Sequence, residues 1–327
     1  MKICVVGLGS MGKRRIRLLQ SIDPGLAIAG VDVSEERRTS AQDMFGIETY
    51  PTLNEALQHG VSVVFVCTAP ISHAELIEEA LNGDCHVFSE INLISAGYEQ
   101  NIKLAETKNR ILFLSSTPLY REEIGYIVEN ATANLPLVSY SYHVGQYLPD
   151  WHPWESFKNY FIGDKRTNGC REIMAIELPW ITRAFGDIVQ VTTTKSNITN
   201  LEIDYPDSYH MILAHDSGVV GSFVVDIASR KACRDLSIQG QELHIEWDGR
   251  PDGLYEYDFD ACQMRNVQLY QSIERLEGYN STITEDAYRA EILNFFDVIA
   301  GKGTSKYSFA ADKKVLSVID EIEGVQQ

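Results

Sequence analysis

Three glycines and one aspartate offer the first chemistry. The stretch "GLGSMG" sets Gly7, Gly9 and Gly12 in a G-x-G-x-x-G pattern, directly after the apolar run "KICVV" and at the head of "KRRIRLLQSI". In that strand–loop–helix setting the pattern suits a dinucleotide. Gly7 allows the tight turn, Gly9 lets the backbone approach a pyrophosphate, and Gly12 lets helix and strand pack closely. Ser10 and Met11 stand at the helix N-terminus, whose amides and positive dipole end favour phosphate. Asp32 closes the next apolar run, 20 residues after Gly12, where a carboxylate would take the adenosine ribose hydroxyls. That carboxylate repels a 2′-phosphate, so NAD is expected over NADP. Arg37 and Arg38 are the counter-argument, unless they form a solvated helix face.

The elements that must hold these groups follow from the pattern. "LAIAGVDVS", "VSVVFVCTAP", "CHVFSE" and "RILFLSS" read as strands, and "SEERRTSAQDMFG", "SHAELIEEALNG" and "AGYEQNIKLAETKN" as helices. Their alternation through about residue 120 predicts a doubly wound parallel sheet of Rossmann type. After "YREEIGYIVENA", a helix, come alternating strand-like runs from "LVSYSYHVGQY" to "GLYEYDF". They predict an α+β domain with a mostly antiparallel open sheet, one face covered and one free. "REIMAIELPWITRAFG" interrupts them as a helix, and two more helices close the chain. The expected domains are 1–120 for the nucleotide and 121–327 for substrate and oligomerisation. The last helix, 310–324, is expected to pack back near the first domain.

Composition bounds the rest. A net charge of −18 argues against nucleic acid and anionic membranes as partners. With 44% hydrophobic and 23% charged residues the chain reads as an ordinary globular protein. Its start leaves no room for a signal peptide, and no apolar run is long enough to span a membrane, so a cytoplasmic location is expected. The six cysteines, at 4, 67, 85, 170, 233 and 262, form no C-x-x-C pair. Their spacing indicates neither a zinc site nor a disulfide framework, and no metal is expected.

The chain resembles the Gfo/Idh/MocA family (glucose–fructose oxidoreductase and inositol dehydrogenase). The resemblance rests on "VVGLGSMG", on "VFVCTAPISHAELIEEAL" and on "HVFSEINL". It continues through "RTNGCREIMAIELPWITRAFG", which looks like the entry to the family's Asp-x-x-x-His helix, and through the two closing helices. It implies nicotinamide-dependent oxidation or reduction at a sugar, cyclitol or related ring, with the nicotinamide between the domains and substrate on the free face of the second sheet. It assigns ribose and nicotinamide contacts to Thr68, Ala69, His73 and Glu90. Substrate contacts are expected from Asn92, Tyr147, Arg171 and Glu177. Two departures stand out. The family's Glu-Lys-Pro lysine falls on Ile91, and its helix histidine falls on Ile176, while the helix aspartate falls on Glu172.

Oxidation of a hydroxyl by NAD leaves a proton that isoleucine cannot take. Glu172 shares a helix face with Ile176, four residues on, and burial can raise a carboxyl enough to serve. Glu177 points about 140° away. Tyr120 and Arg121 stand at the domain border. In "VGQYLPDWHPWESF", Tyr147, Asp150, His152, Trp151 and Trp154 offer a base and a stacking platform, or else a packed turn. The catalytic candidates are therefore Glu172, Tyr120 and His152. Cys170 reads as a small filler. Arg171 reads as an internal ion pair or as a fork for an anionic substrate group.

Three functions fit. The first is an NAD-dependent dehydrogenase acting on a sugar, amino-sugar or nucleotide-sugar ring, with surface polysaccharide synthesis suggested by the resemblance. The second is a non-redox enzyme that uses tightly bound NAD for transient oxidation. The third is a regulatory protein that keeps the nucleotide site without its chemistry. A homodimer or homotetramer through the second sheet is expected for any of them.

Overall fold

The structure, a computed structural model, describes residues 1–151, 156–271, 273 and 284–325. The chain divides into two compact units, Met1–Ser116 with Tyr288–Lys313, and Thr117–Ala287 with Lys314–Gln327.

In the first unit the strands are β1 (Lys2–Val6), β2 (Ala27–Val31), β3 (Glu48–Tyr50), β4 (Val63–Val66), β5 (His86–Ser89) and β6 (Leu112–Leu114). The helices are α1 (Ser10–Ile22), α2 (Glu35–Phe45), α3 (Leu53–Leu57), α4 (His73–Asn82) and α5 (Tyr98–Lys108). The strand order is β3-β2-β1-β4-β5-β6, and every pair is parallel. β4 is buried along its whole length, as its unbroken apolar run requires of a strand covered on both faces. The order reverses between β1 and β4, which is where a doubly wound sheet opens a crevice for a ligand.

This unit also takes in residues 288–313, which the sequence places in the second domain. The reason is aromatic and ionic. Phe295 meets Phe65, Phe88 and Phe113 with ring centroids 5.3–5.6 Å apart, and Glu291 accepts from Arg15, Ser115 and the Ser116 amide. Burying Phe295 against β4, β5 and β6 removes a large apolar ring from water, worth about 1.5–3 kcal/mol.

The second unit holds α6 (Glu122–Ala133), β7 (Val138–Gly145), α7 (Gly169–Phe185), β8 (Ile188–Ser196), β9 (Ser208–His215), β10 (Val220–Asp226), β11 (Cys233–Gly240), β12 (His244–Trp247), β13 (Leu254–Asp258) and β14 (Gln263–Asn266). α8 (Glu285–Ile299) and α9 (Phe309–Glu323) close the chain, and the division between the units falls within each. The strand order is β14-β13-β12-β11-β7-β10-β9-β8, with β7 and β10 parallel and every other pair antiparallel. α7 covers one face. Tyr140 stacks on Phe185 at 4.3 Å, and Tyr142 meets Trp180 edge-on at 5.3 Å. On β7 the alternate residues Ser139, Ser141 and His143 point to the opposite, open face.

Candidate functional site

The glycine loop follows β1. Gly7 has φ +93°, and a Cβ there would lie 2.7 Å from the Cys67 carbonyl oxygen. A side chain on Gly12 would strike the Gly7 oxygen at 1.8 Å. Both positions are closed by the fold itself. Gly9 differs, because a Cβ there would meet nothing within 4 Å. It is the N-cap of α1, with no side chain capping the helix and no acidic residue in its first turn. Ser10 is exposed and Met11 half-buried in that turn. The helix end is thus left uncapped with room before it, a fit for a phosphate group.

Asp32 is buried, and both carboxylate oxygens are directed. Oδ2 accepts the Leu8 amide and Oδ1 the Ser34 amide, each at 2.9 Å. The first bond ties the acid to the glycine loop. Each oxygen keeps a lone pair for a ribose hydroxyl. Arg37 is mostly exposed, with its guanidinium 3.8 Å from Asp32. Arg38 donates to the carbonyls of Asp32 and Val33. Arg38 is thus tied to the backbone at the end of β2, whereas Arg37 is a solvent-exposed cation 3.8 Å from Asp32.

Beyond β4, Thr68 is half-buried and Ala69 exposed, beside Gly7 at the crevice. The remaining cofactor candidates are tied up. His73 is buried, which lowers its pKa. Its Nε2 lies 2.9 Å from the Thr68 carbonyl oxygen, and its Nδ1 2.6 Å from Asn92 Oδ1. No ring nitrogen is left for a ligand, so His73 shapes the Thr68 turn instead. Asn92, expected at the substrate, is buried and holds that histidine.

Glu90, expected at the nicotinamide, is the partner of a buried arginine. Arg15 Nε donates to Glu90 Oε1 at 2.5 Å and Nη2 to Oε2 at 3.2 Å. Nη2 also reaches Glu291 at 2.7 Å. Phe88 and Tyr288 lie under the guanidinium. The two carboxylates hold Arg15 cationic against the cost of burial, and burial pushes Glu291 up. Arg15 was not singled out from the sequence. Its signal was a charged residue at the buried spacing of α1, three and four positions before Leu18 and Leu19.

In the second unit, Asn168 Oδ1 caps α7 by accepting the Arg171 amide at 2.8 Å. Along α7 the less-buried stripe runs through Glu172, Ile176 and Arg183. The Glu172 carboxyl has no hydrogen-bond or ion-pair partner among the described residues, and burial raises its pKa to about 7. Glu177 lies on the buried side instead. It accepts from the Tyr142 hydroxyl and the Trp180 indole, both at 2.8 Å, and from Arg234 at 2.9 Å. Its carboxylate is fully engaged, which corrects its assignment to substrate. Arg171 pairs with Asp320 at 2.7 Å and with Glu323 at 2.5 Å, so it is an internal ion pair and not a fork for substrate.

Tyr120 is buried in a single 3₁₀ turn, Thr117–Tyr120, that packs against α7. Tyr147 has the Arg230 guanidinium stacked 3.5 Å from its ring centroid. One face of that ring is therefore covered by a residue the sequence did not flag. Cys170 is fully buried, and burial drives its thiol pKa well up, which suits an inert filler. His152 and Trp154 lie outside the described residues.

Residues 1–116 match the oxidoreductase family with NAD-binding Rossmann fold, GFO_IDH_MocA. The match covers 116 of the 327 residues, all within the first unit. A myo-inositol 2-dehydrogenase of Thermotoga maritima is 29% identical over 145 residues, 42% of this chain and 43% of that enzyme. The chain thus matches less than half the length of this relative. Among solved structures, an oxidoreductase from Agrobacterium radiobacter in complex with NAD+, L-tartaric acid and magnesium superposes with a TM-score of 0.80. It is 16% identical, covering 100% of this chain and 97% of that one. A UDP-N-acetylglucosamine 3-dehydrogenase from Acidithiobacillus ferrooxidans gives a TM-score of 0.79 at 18% identity, covering 98% and 96%. These likenesses show the fold over the whole chain. Among the described residues no helix is long and apolar enough to cross a membrane.

Proposed function

We propose that the protein is an NAD-dependent dehydrogenase acting on a ring hydroxyl or ketone of a sugar-like substrate. The observation that carries this reading is the open, uncapped helix end at Gly9 with Asp32 braced against the same loop. A bound NAD would supply the hydride acceptor. This chain's own residues would hold its phosphate at Gly9, Ser10 and Met11, and its ribose at Asp32. Thr68 and Ala69 stand beside the loop and are proposed as further contacts.

Glu172 is the proposed proton acceptor. Among the proton-handling candidates it combines a half-buried carboxyl, no competing partner and a pKa near neutrality. A base poised near the working pH transfers protons most effectively. Tyr120, in the turn against α7, is proposed to support it. The relatives' substrates, an inositol and a UDP-linked amino sugar, support a polyhydroxylated ring as the substrate class, with surface polysaccharide synthesis as the proposed setting.

Isoleucine at positions 91 and 176 favours one alternative, transient oxidation by a cofactor that never leaves. The deciding experiment titrates cofactor-stripped protein with NAD, NADH, NADP and NADPH in a calorimeter, then follows nicotinamide absorbance with a panel of sugars and nucleotide sugars. Preference for NAD(H) and net reduction by one substrate is the expected result. Cofactor that survives purification with no net reduction would move the reading to the alternative, and failure of all four to bind would remove both. We also propose a homo-oligomer through the open sheet face, where Ile212 and Val220 are about half exposed, tested by light scattering.

A further inference from the structure

The sequence spacing gives no metal motif, yet the second sheet gathers one. His143 on β7 is directly opposite Asp235 on β11, and Gly145 opposite both Cys233 and Asp226. Residues that face each other across paired strands, or lie two apart on one strand, share a face. His143, Cys233, Asp235 and Asp226 therefore all stand on the open face, away from α7. A ligand atom from each of His143, Cys233 and Asp235 lies within 4.8 Å of the others.

We propose that His143, Cys233 and Asp235 form a binding site for a zinc-class divalent cation, with solvent as the fourth ligand. The donor set, one imidazole, one thiol and one carboxylate, is the borderline-soft combination that zinc takes. The distances suit it. Zinc bonds of about 2.3 Å to sulfur and about 2.0 Å to nitrogen, at a tetrahedral angle, separate the two donors by roughly 3.5 Å. Cys233 Sγ lies 3.7 Å from His143 Nδ1 and 3.9 Å from Nε2. A modest turn about the broad Cβ–Cγ torsion of the histidine aims Nδ1 at the ion. The exposed Asp235 closes the remaining gap.

The outer shell is already built. His143 Nε2 donates to Asp226 Oδ2 at 2.6 Å. Asp226 is fixed in turn by the Ala228 amide, the Ser229 amide and the Ser229 hydroxyl, at 2.7–3.0 Å. A carboxylate behind the ring nitrogen opposite the metal is the arrangement that orients histidine ligands and raises their basicity. Asp226 is nearly buried, whereas His143 is more than a third exposed, so the ion has a route from solvent. Neither His143 nor Cys233 is among the residues proposed for cofactor binding or proton transfer, so that reading survives if the metal site fails; the site shares the open face with the proposed oligomer contact.

The test uses full-length protein freed of metal by chelator and titrated with cobalt(II) and zinc(II). Cobalt should bind at one equivalent with a thiolate charge-transfer band, and zinc should displace it. Cys233→Ser should abolish the band, and His143→Gln should weaken binding at least tenfold. Cys262→Ser, which alters the exposed cysteine, should leave both intact. Asp235→Asn, on an exposed side chain, should weaken binding about tenfold and keep the band, which guards against misfolding of the other variants. A band that survives Cys233→Ser, or no band in the parent protein, overturns the proposal. Thermal unfolding of the metal-free variants that matches the metal-free parent shows that loss of metal is not loss of fold.

Discussion

Glu90 and Glu172 are two acidic residues in different units, and their surroundings give them opposite fates. Glu90 is gripped by Arg15 through two hydrogen bonds, inside a network that also takes in Glu291 and Ser115. The Glu172 carboxyl has neither ion pair nor hydrogen bond among the described residues, and burial alone raises it to about 7. A buried carboxylate that is fully paired serves the fold. One left unpaired near neutrality is available to a proton. By the same test Glu177, with three donors on it, belongs with Glu90.

The sharpest way to break this contrast is Arg15→Met. It strands two carboxylates in the first unit, and the loss of one partner of a buried ion pair costs about 3–5 kcal/mol. Denaturant unfolding should show that loss, and an unchanged midpoint would mean that the network carries little. Next comes Glu172→Gln, expected to cut turnover roughly 100-fold or more, the range of a lost general base, with NAD affinity unchanged. Turnover that survives would clear Glu172 of the role.

The pH dependence of stability sharpens the comparison further. Glu172's ordinary value of 4.5 is raised to about 7 in the fold. A carboxyl raised on folding costs stability as pH climbs from the lower value to the higher, and the full cost is present above the higher. Glu172→Gln removes that cost. The variant should therefore gain on the parent as pH rises through about 4.5 to 7, and parallel stability curves would show an unperturbed carboxyl.

Gly9→Ala probes the open cradle. The added methyl meets no protein atom within 4 Å, so melting should hardly change. NAD affinity should fall about tenfold, about 1.4 kcal/mol, and undiminished affinity would place the pyrophosphate elsewhere. Smallest is Arg37→Ala. The Arg37 guanidinium is exposed and 3.8 Å from Asp32, and a pair so screened by solvent is worth about 0–1 kcal/mol, so NAD affinity should stay within a few-fold, while any binding of NADP should weaken more. Equal losses for both cofactors would remove Arg37 from the choice between them.

The glycine loop was legible because its meaning lies in six consecutive residues and one acid a short distance on. The same holds for the alternating strands, whose period shows in a few residues. What was not legible is partnership over distance. Glu90 meets Arg15 across 75 positions and Arg171 meets Glu323 across 152, and nothing local in either stretch announces the other. The resemblance put Glu90 and His73 at the cofactor, whereas packing has spent both on the fold. His143 and Cys233, 90 positions apart, share a face only once the strand register is known.

The place of β7 in the second sheet bears on how the protein folds. The meanders β8–β9–β10 and β11–β12–β13–β14 join strands that are close in the chain. β7 must bridge them, and its Ser139 bonds to Val220 across 81 residues. Closing so long a loop adds little to the equilibrium cost but slows the search. The two meanders can assemble early and apart, each with an unpaired edge, and the central strand is the seam that joins them late. Until it does, β10 and β11 expose the edges most open to wrong pairing, so the middle of the finished sheet is the weak point of the unfinished one.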